Sequence, residues 1–317
     1  MAHSTTVVPA ALSRSVRREA DALARWLARA RAGDEKGVHR ARVATRRLRE
    51  AMPLLAVAGA SEARGLRRDL RRLTRALGPV RELDVARGVL KALAPRFAWP
   101  PTTAARVDQQ FERRRSRSLE ALLEEADRLD AAALPAQIHA MLAGVDADAQ
   151  RAAAAVFLAP RLRRRARALA RAQRGAGTMY AVQPLHDVRL AAKKLRYLLE
   201  LGMAATGAPV AADIRTLKRL QGLLGRLHDL QIVQHGLQDI EAGGADALTS
   251  RRLAQMHRDV ETACRALHAR YLKIASATSD QAVRLAREAA GLFGPRRRTG
   301  RMVRMQIAAE RVSQVRR

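Results

Sequence analysis

Two histidines head two matching rows of cations. His39, Arg42, Arg46 and Arg49 recur as His186, Arg189, Lys193 and Arg196, at positions i, i+3, i+7 and i+10. On a helix turning about 100° per residue the four positions of each row fall within about 80° of one another, so each row is a narrow cationic stripe. Like charges stacked in this way repel by roughly a few tenths of a kcal/mol per neighbouring pair, and no acid stands between His39 and Arg49 to relieve them. A solvated face would intersperse acids at i+4. Stripes that retain the repulsion twice are suited to gripping phosphate oxygens, for which the guanidinium fork is the better donor. Arg47 and Lys194 lie to one side of their stripes. A second row, Arg68, Arg71, Arg72 and Arg75, is answered by Arg215, Lys218 and Arg219; of these Arg71, Arg72, Lys218 and Arg219 are the candidates to close a groove. The competing explanation is that an Arg-rich composition decorates every exposed face, since only six of the 60 basic residues are Lys. Agreement between the two copies favours the stripe.

The histidines admit three readings. One is a helix-face side chain with a structural hydrogen bond. The second is metal ligation, which wants a second ligand such as a His four residues away, and neither His39 nor His186 has one. The third is a switchable cation, charged more readily beside a phosphate. Their place on the same stripes as the arginines favours the third, and no metal site or cofactor is expected.

The element that must position these residues is a duplicated helical unit. The stretch Val38 to Arg49 aligns with Leu185 to Arg196 at an offset of 147. The same offset carries Arg68, Leu70, Arg71, Arg72, Leu73, Leu77 and Gly78 onto Arg215, Leu217, Lys218, Arg219, Leu220, Leu224 and Gly225. It also carries Arg14, Arg17 and Arg18 onto Arg161, Arg164 and Arg165. Apolar residues recur with helical period and no segment alternates as a strand does. The expected helices are 11–31, 36–58, 62–93 and 103–130 in the first copy, and 148–173, 184–204, 209–241 and 247–275 in the second, with 279–292 following. Gly33-Asp34, Pro100-Pro101, Gly175-Ala176-Gly177, Gly207-Ala208-Pro209 and Gly243-Gly244 mark turns. Pro79 is expected to kink or break the third helix, whereas Arg226 in the second copy is not. Val43, Leu48, Leu54 and Leu55, with Leu190, Leu195, Leu198 and Leu199, read as core. The organisation expected is an N-terminal extension (1–10), two helical halves (11–147 and 148–293) and a basic C-terminal tail (294–317) that serves as a solvated electrostatic arm.

Composition bounds the partner. Among 317 residues, 60 are Lys or Arg and 30 are Asp or Glu, a formal net charge of +30, beyond what solubility requires. Apolar residues make up 48%, enough for a core, and the 3% aromatic share points to Leu, Ala and Val packing as in helix bundles. The single cysteine, Cys264, excludes an intramolecular disulfide and reads as a small core residue. Met1 to Leu12 has neither a basic n-region nor a long apolar run, and no window reaches the roughly 18 apolar residues of a spanning helix. The expectation is a soluble cytoplasmic protein with a polyanion partner and no membrane partner.

The paired His-x-x-Arg-x-x-x-basic-basic-Leu-Arg motifs at His39 to Arg49 and His186 to Arg196 resemble those of the CHAD domain, the conserved histidine α-helical domain. So do the Leu-Gly-x-x-basic-acid endings, Leu77 to Glu82 with Asp84 beyond, and Leu224 to Asp229. The resemblance covers about residues 11–290. It implies an all-α fold of two homologous four-helix bundles related by pseudo-twofold symmetry around a basic groove or pore. It further implies that this groove binds inorganic polyphosphate and places the protein on polyphosphate granules. Gln231 departs from the pattern, standing where the first copy has Asp84. Family members are often joined to a triphosphate-tunnel enzyme marked by Glu-x-Glu-x-Lys, a motif lacking in this sequence, so no catalytic residue is carried over.

Direct phosphate contacts are therefore expected from Arg42, Arg46, Arg49, Arg189, Lys193 and Arg196, with His39 and His186 as hydrogen-bond donors. The rival reading is nucleic-acid or general polyanion binding, bound without sequence preference. Single-strand binders stack bases on aromatic platforms, and no aromatic residue is expected in the stripes. A phosphohydrolase would cluster carboxylates around Mg²⁺, whereas Glu82, Asp84 and Asp229 read as acids that pair with and orient arginines. A scaffold that tethers partner proteins to granules is compatible with the same site, and the sequence names no such protein.

Overall fold

The computed structural model describes residues 11–243 and 247–293; the expected N-terminal extension, Gly244 of the last turn signal and the basic tail lie outside the described residues. Among the described residues are nine helices and no strand: α1 (Ala11–Arg31), α2 (Glu35–Val57), α3 (Ala63–Arg96), α4 (Pro101–Arg128), α5 (Leu134–Ala143), α6 (Ala147–Ala176), α7 (Val182–Thr206), α8 (Ala211–Ala242) and α9 (Ala247–Phe293). None of them is long and apolar enough to cross a membrane.

Local chemistry fixes the boundaries. The Asp34 carboxylate caps α2 by accepting from the Gly37 amide at 2.7 Å, and Asp146 caps α6 by accepting from Asp148 and Ala149. Pro101 opens α4, where its missing N–H costs nothing. Gly33 and Gly207 take the positive φ values, 77° and 69°, that end α1 and α7. Gly37 has a second role: a Cβ there would lie 2.7 Å from the backbone of Arg29 and Ala30, so its bare Cα lets the first turn of α2 close onto the last turn of α1. That approach sets the height at which His39 emerges.

Successive helices pack as neighbours, α1 on α2, α2 on α3, α3 on α4, and likewise α6 on α7, α7 on α8 and α8 on α9. The closing contacts differ, because α9 lies along α6 whereas α4 barely meets α1, whose flank is taken by α5. The apolar interior forms two clusters. The larger joins α1, α2, α5, α6 and α7 with the N-terminal halves of α3 and α8, the end of α4 and the C-terminal half of α9. The smaller is built from the other ends of α3, α4, α8 and α9 and contains Cys264, Phe111 and Trp99. Both draw on both sequence copies, so α3 and α8 are rods shared by two cores.

Three elements differ from the sequence reading. Pro79 does not break α3: the helix continues to Arg96, with Pro79 exposed and Leu77 and Val80 fully buried on either side. Burial of those neighbours offsets one lost backbone hydrogen bond. The segments 247–275 and 279–292 are one helix; the Thr278 hydroxyl donates to Ile274 and Ala275 carbonyls and accepts from Gln173 of α6 at 2.6 Å, so its polar groups are satisfied inside a helix. The short helix α5 was not expected at all.

Burial also refines the repeat. Buried positions of α2 map onto α7, and those of α3 onto α8, at the offset of 147. For α1 and α6 the registers agree at 146 instead: Leu12, Val16, Ala20 and Leu23 occupy the places of Leu158, Leu162, Ala166 and Leu169. The match of Arg14, Arg17 and Arg18 with Arg161, Arg164 and Arg165 is thus one residue out of structural register.

Candidate anion-binding site

Helices α2, α3 and α7 enclose a cleft of about 420 Å³ lined by Arg42, Arg46, Arg49, Arg75, Lys193 and Lys194, with Tyr197 at its base, Glu50 on the α2 wall and Glu82 and Pro79 on the α3 wall. Stripes from the two sequence copies therefore meet across one space. Buried Leu48 on α2 and Leu195 on α7 anchor the two helices in the larger core, which turns the opposite faces of the same turns into the cleft.

The cations divide by what they touch. Arg47 donates to Glu19 of α1 at 2.6 Å, Arg72 to Glu125 of α4 at 2.8 Å, and Arg196 to Glu200 at 2.6 Å and Gln221 at 2.7 Å. Arg165 of α6 pairs with Glu50 and donates to the Lys194 carbonyl at 2.6 Å. Glu19, Glu50 and Glu200 line a second cavity of about 280 Å³ on the other side of Tyr197, with Glu50 also bordering the cleft. By contrast, Arg42, Arg46, Arg49, Arg189 and Lys193 have no carboxylate within ion-pair distance among the described residues. Arg47, Arg72, Arg165 and Arg196 are thus paired with carboxylates, whereas Arg42, Arg46, Arg49 and Lys193 line the cleft without a described carboxylate at ion-pair distance, although Glu50 and Glu82 border the same space.

Two of these groups are buried donors without a partner: Arg46 through Nη2 and Arg189 through Nε. Their proton affinities register the strain. Burial, followed by Arg46, pulls Arg42 down to about 10, still a cation at neutral pH. Arg46, Arg49 and Arg189 are also lowered, in each case chiefly by burial; other arginines add to the effect, while Tyr197 opposes it at Arg46 and Asp229 at Arg189. Arg46 acts on Arg189 and Arg189 on Arg42, so the two copies repel each other across the cleft. A bound anion would relieve both costs at once.

The histidines adjoin this cluster. His39 is lowered by burial and then by Arg81, Arg40, Arg42 and Arg46. His186 is lowered by burial and Arg189, against Asp187 and Glu82. The His228 ring lies 5.3 Å from that of His186, and burial, Arg189 and His186 push it down to about 4. Burial raises Asp229, opposed by Arg189 and Arg81. Among the described residues no group of three or more His, Cys, Asp or Glu side chains could hold a metal ion.

Several sequence-derived candidates sit elsewhere. Arg71 lies near Arg49, but Arg72 is committed to Glu125. Lys218 faces the Glu200 carboxylate at 3.9 Å in the rear cavity, and Arg219 is exposed on α8 and donates to Thr216 at 3.2 Å. The α3 and α8 rows therefore do not close the cleft as a symmetric pair; Arg75 comes nearest to that role. Tyr197 was missed. Its ring carries the Arg46 guanidinium 4.9 Å above its centroid and that of Arg196 at 4.4 Å, so an aromatic residue does lie among the stripes. Buried between two arginines, it positions cations and offers no face to a base. Asp84 pairs with an arginine as expected: buried, it accepts from Arg115 of α4 at 2.6 Å, and Arg115 in turn donates to the Gly33 carbonyl. Its counterpart Gln231 contacts the Tyr180 hydroxyl at 3.4 Å.

The sequence matches the CHAD domain family over residues 14–238. Among solved structures, PptA from Streptomyces chartreusis aligns with a TM-score of 0.60 at 18% identity, covering 87% of this chain and 100% of that one. The CHAD domain from the plant Ricinus communis aligns with a TM-score of 0.49 at 24% identity, covering 88% and 92%. No curated protein matches the chain.

Proposed function

Because the chain belongs to the CHAD domain family, we propose that the cleft between α2, α3 and α7 binds inorganic polyphosphate and holds it without turning it over. The observation that supports the reading is a set of cations without ion-pair partners among the described residues, Arg42, Arg46, Arg49 and Lys193 lining the cleft and Arg189 beside it, with orphaned buried N–H groups on Arg46 and Arg189. Polyphosphate is a thin, flexible chain of anions without bases. It needs a line of cations on two walls and no base-reading group, which is what Arg42, Arg46 and Arg49 on one side and Arg189 and Lys193 on the other supply. Retention of such chains would place the protein on polyphosphate granules in the cytoplasm.

The reading is tested by Arg42→Ala and Arg189→Ala. Loss of one charge-assisted contact is worth about 1.5–3 kcal/mol, so each substitution lowers polyphosphate affinity roughly 10- to 100-fold. The melting temperature of the free protein holds or rises, because a like charge leaves a crowded site. Unchanged affinity in both variants would place the polyanion elsewhere.

A further inference from the structure

A second set of unpaired cations lies outside the cleft. Arg163, Arg167, Arg171 and Arg174 are exposed on α6 and fall within about 80° of helix face. They run for about 16 Å along the axis. With Arg287 of α9 they border a shallow hollow of about 480 Å³ floored by Ala170, Val283 and Ala286. None of the five has a carboxylate partner among the described residues, and no Asp or Glu occurs between Asp148 and Asp187. The repulsion argument that marks the cleft stripes applies to this ladder too.

The ladder is not a copy of anything in the first half. In structural register its residues correspond to Arg17, Asp21, Arg25 and Ala28, a face that carries an acid and to which α5 supplies a partner: His139 bonds Arg17 at 3.2 Å and Asp21 at 2.8 Å. On α6 the same face is open. Arg161 and Arg165 point about 140° round the helix from the ladder's centre, and Arg165 touches Glu50 and Lys194 on the cleft wall. Between them and the ladder stands Arg164, which shares a hollow of about 280 Å³ with Arg163, Arg167 and Arg171. Cationic side chains thus run around α6 from the outer face through Arg164 to Arg161, and Arg165, paired with Glu50, ends the run at the cleft wall.

We propose that the α6 ladder with Arg287 is a second phosphate track, which takes the part of a long polyphosphate chain leaving the cleft and thereby selects chains by length. This rests on polyphosphate being the ligand of the cleft. A chain too short to round α6 engages the cleft alone. A long one engages both sites, the second at the effective concentration set by its tether to the first.

The test measures Kd at about 0.15 M salt for a linear chain of about six phosphates and for a long chain of several hundred. Wild type is compared with Arg163→Gln/Arg167→Gln/Arg171→Gln and with a charge-matched control on other exposed faces, Arg113→Gln/Arg117→Gln/Arg258→Gln. The expected result is that the ladder variant keeps the short-chain Kd within about twofold and loses at least about tenfold of the long-to-short preference, while the control retains it. A preference that survives in the ladder variant, or that falls equally in the control, overturns the proposal. Failure of the cleft reading registers separately, as an unchanged short-chain Kd in Arg42→Ala and Arg189→Ala. The side chains substituted in the ladder and control variants are exposed, and circular dichroism melting reports whether each variant is folded.

Discussion

At the scale of single residues, identity matters less than which neighbour each cation is given. Arg46 and Arg47 are adjacent in sequence, yet one faces the cleft over Tyr197 and the other bonds Glu19. The histidines carry a pH dependence whose direction follows from their surroundings. In the free protein His39 and His186 sit below the ordinary 6.5, so they are neutral at pH 7. A polyanion beside them favours the imidazolium, so the complex binds more protons than the free protein. Affinity therefore rises as pH falls from about 8 to 5.5, and flattens once the free-state values are passed. His39→Gln with His186→Gln removes most of that slope in titrations across the range; a wild-type curve already flat would assign the histidines a purely structural role.

At the scale of elements, the helices were legible and their joins were not. The stripes, the turns at Gly33 and Gly207 and the cores of α2, α3, α7 and α8 follow from periodicity and punctuation. Helix α5 escaped because ten residues give too few turns for a period to show. The continuity of α9 depends on Gln173 reaching Thr278 from another helix, a contact that no local pattern announces. The exchange of Asp84 for Gln231 likewise had no sequence explanation; it reflects an ion pair to Arg115 in one half and a neutral polar contact to Tyr180 in the other. Since Asp84 is buried, Arg115→Ala leaves a carboxylate without its counter-charge, and such losses cost about 3–5 kcal/mol. Urea denaturation of that variant gives this loss of stability, and a change below about 1 kcal/mol would mean that water or a neighbour replaces the guanidinium.

At the scale of the whole molecule, a net charge of +30 would attract any polyanion, and the arrangement of that charge decides what stays. The sequence revealed the stripes and their duplication; it did not reveal that Arg47 and Arg72 are neutralised, because Glu19 and Glu125 are distant in the chain, whereas the Arg196 partner, Glu200, stands at i+4 and was legible. The candidate site consequently shrinks from fourteen residues to a core of five cations with flanking histidines and Lys194. Binding through those five releases about as many counterions, so the logarithm of short-chain affinity against the logarithm of salt should have a slope near −3 to −4, on the scale of about −0.7 per contact for single strands. Titrations between 0.05 and 0.4 M salt measure it, and a slope steeper than about −7 would show that the wider basic surface is in play.

The central claim is that the cleft retains polyphosphate in preference to other phosphate polymers. The direct measurement is a competition at about 0.15 M salt, in which labelled long-chain polyphosphate bound to the protein is challenged with equal phosphate equivalents of duplex DNA, single-stranded RNA and orthophosphate. Polyphosphate is expected to resist displacement by each competitor at least about tenfold; equal competition by the nucleic acids would contradict selective retention in the cleft and make the protein a general polyanion binder.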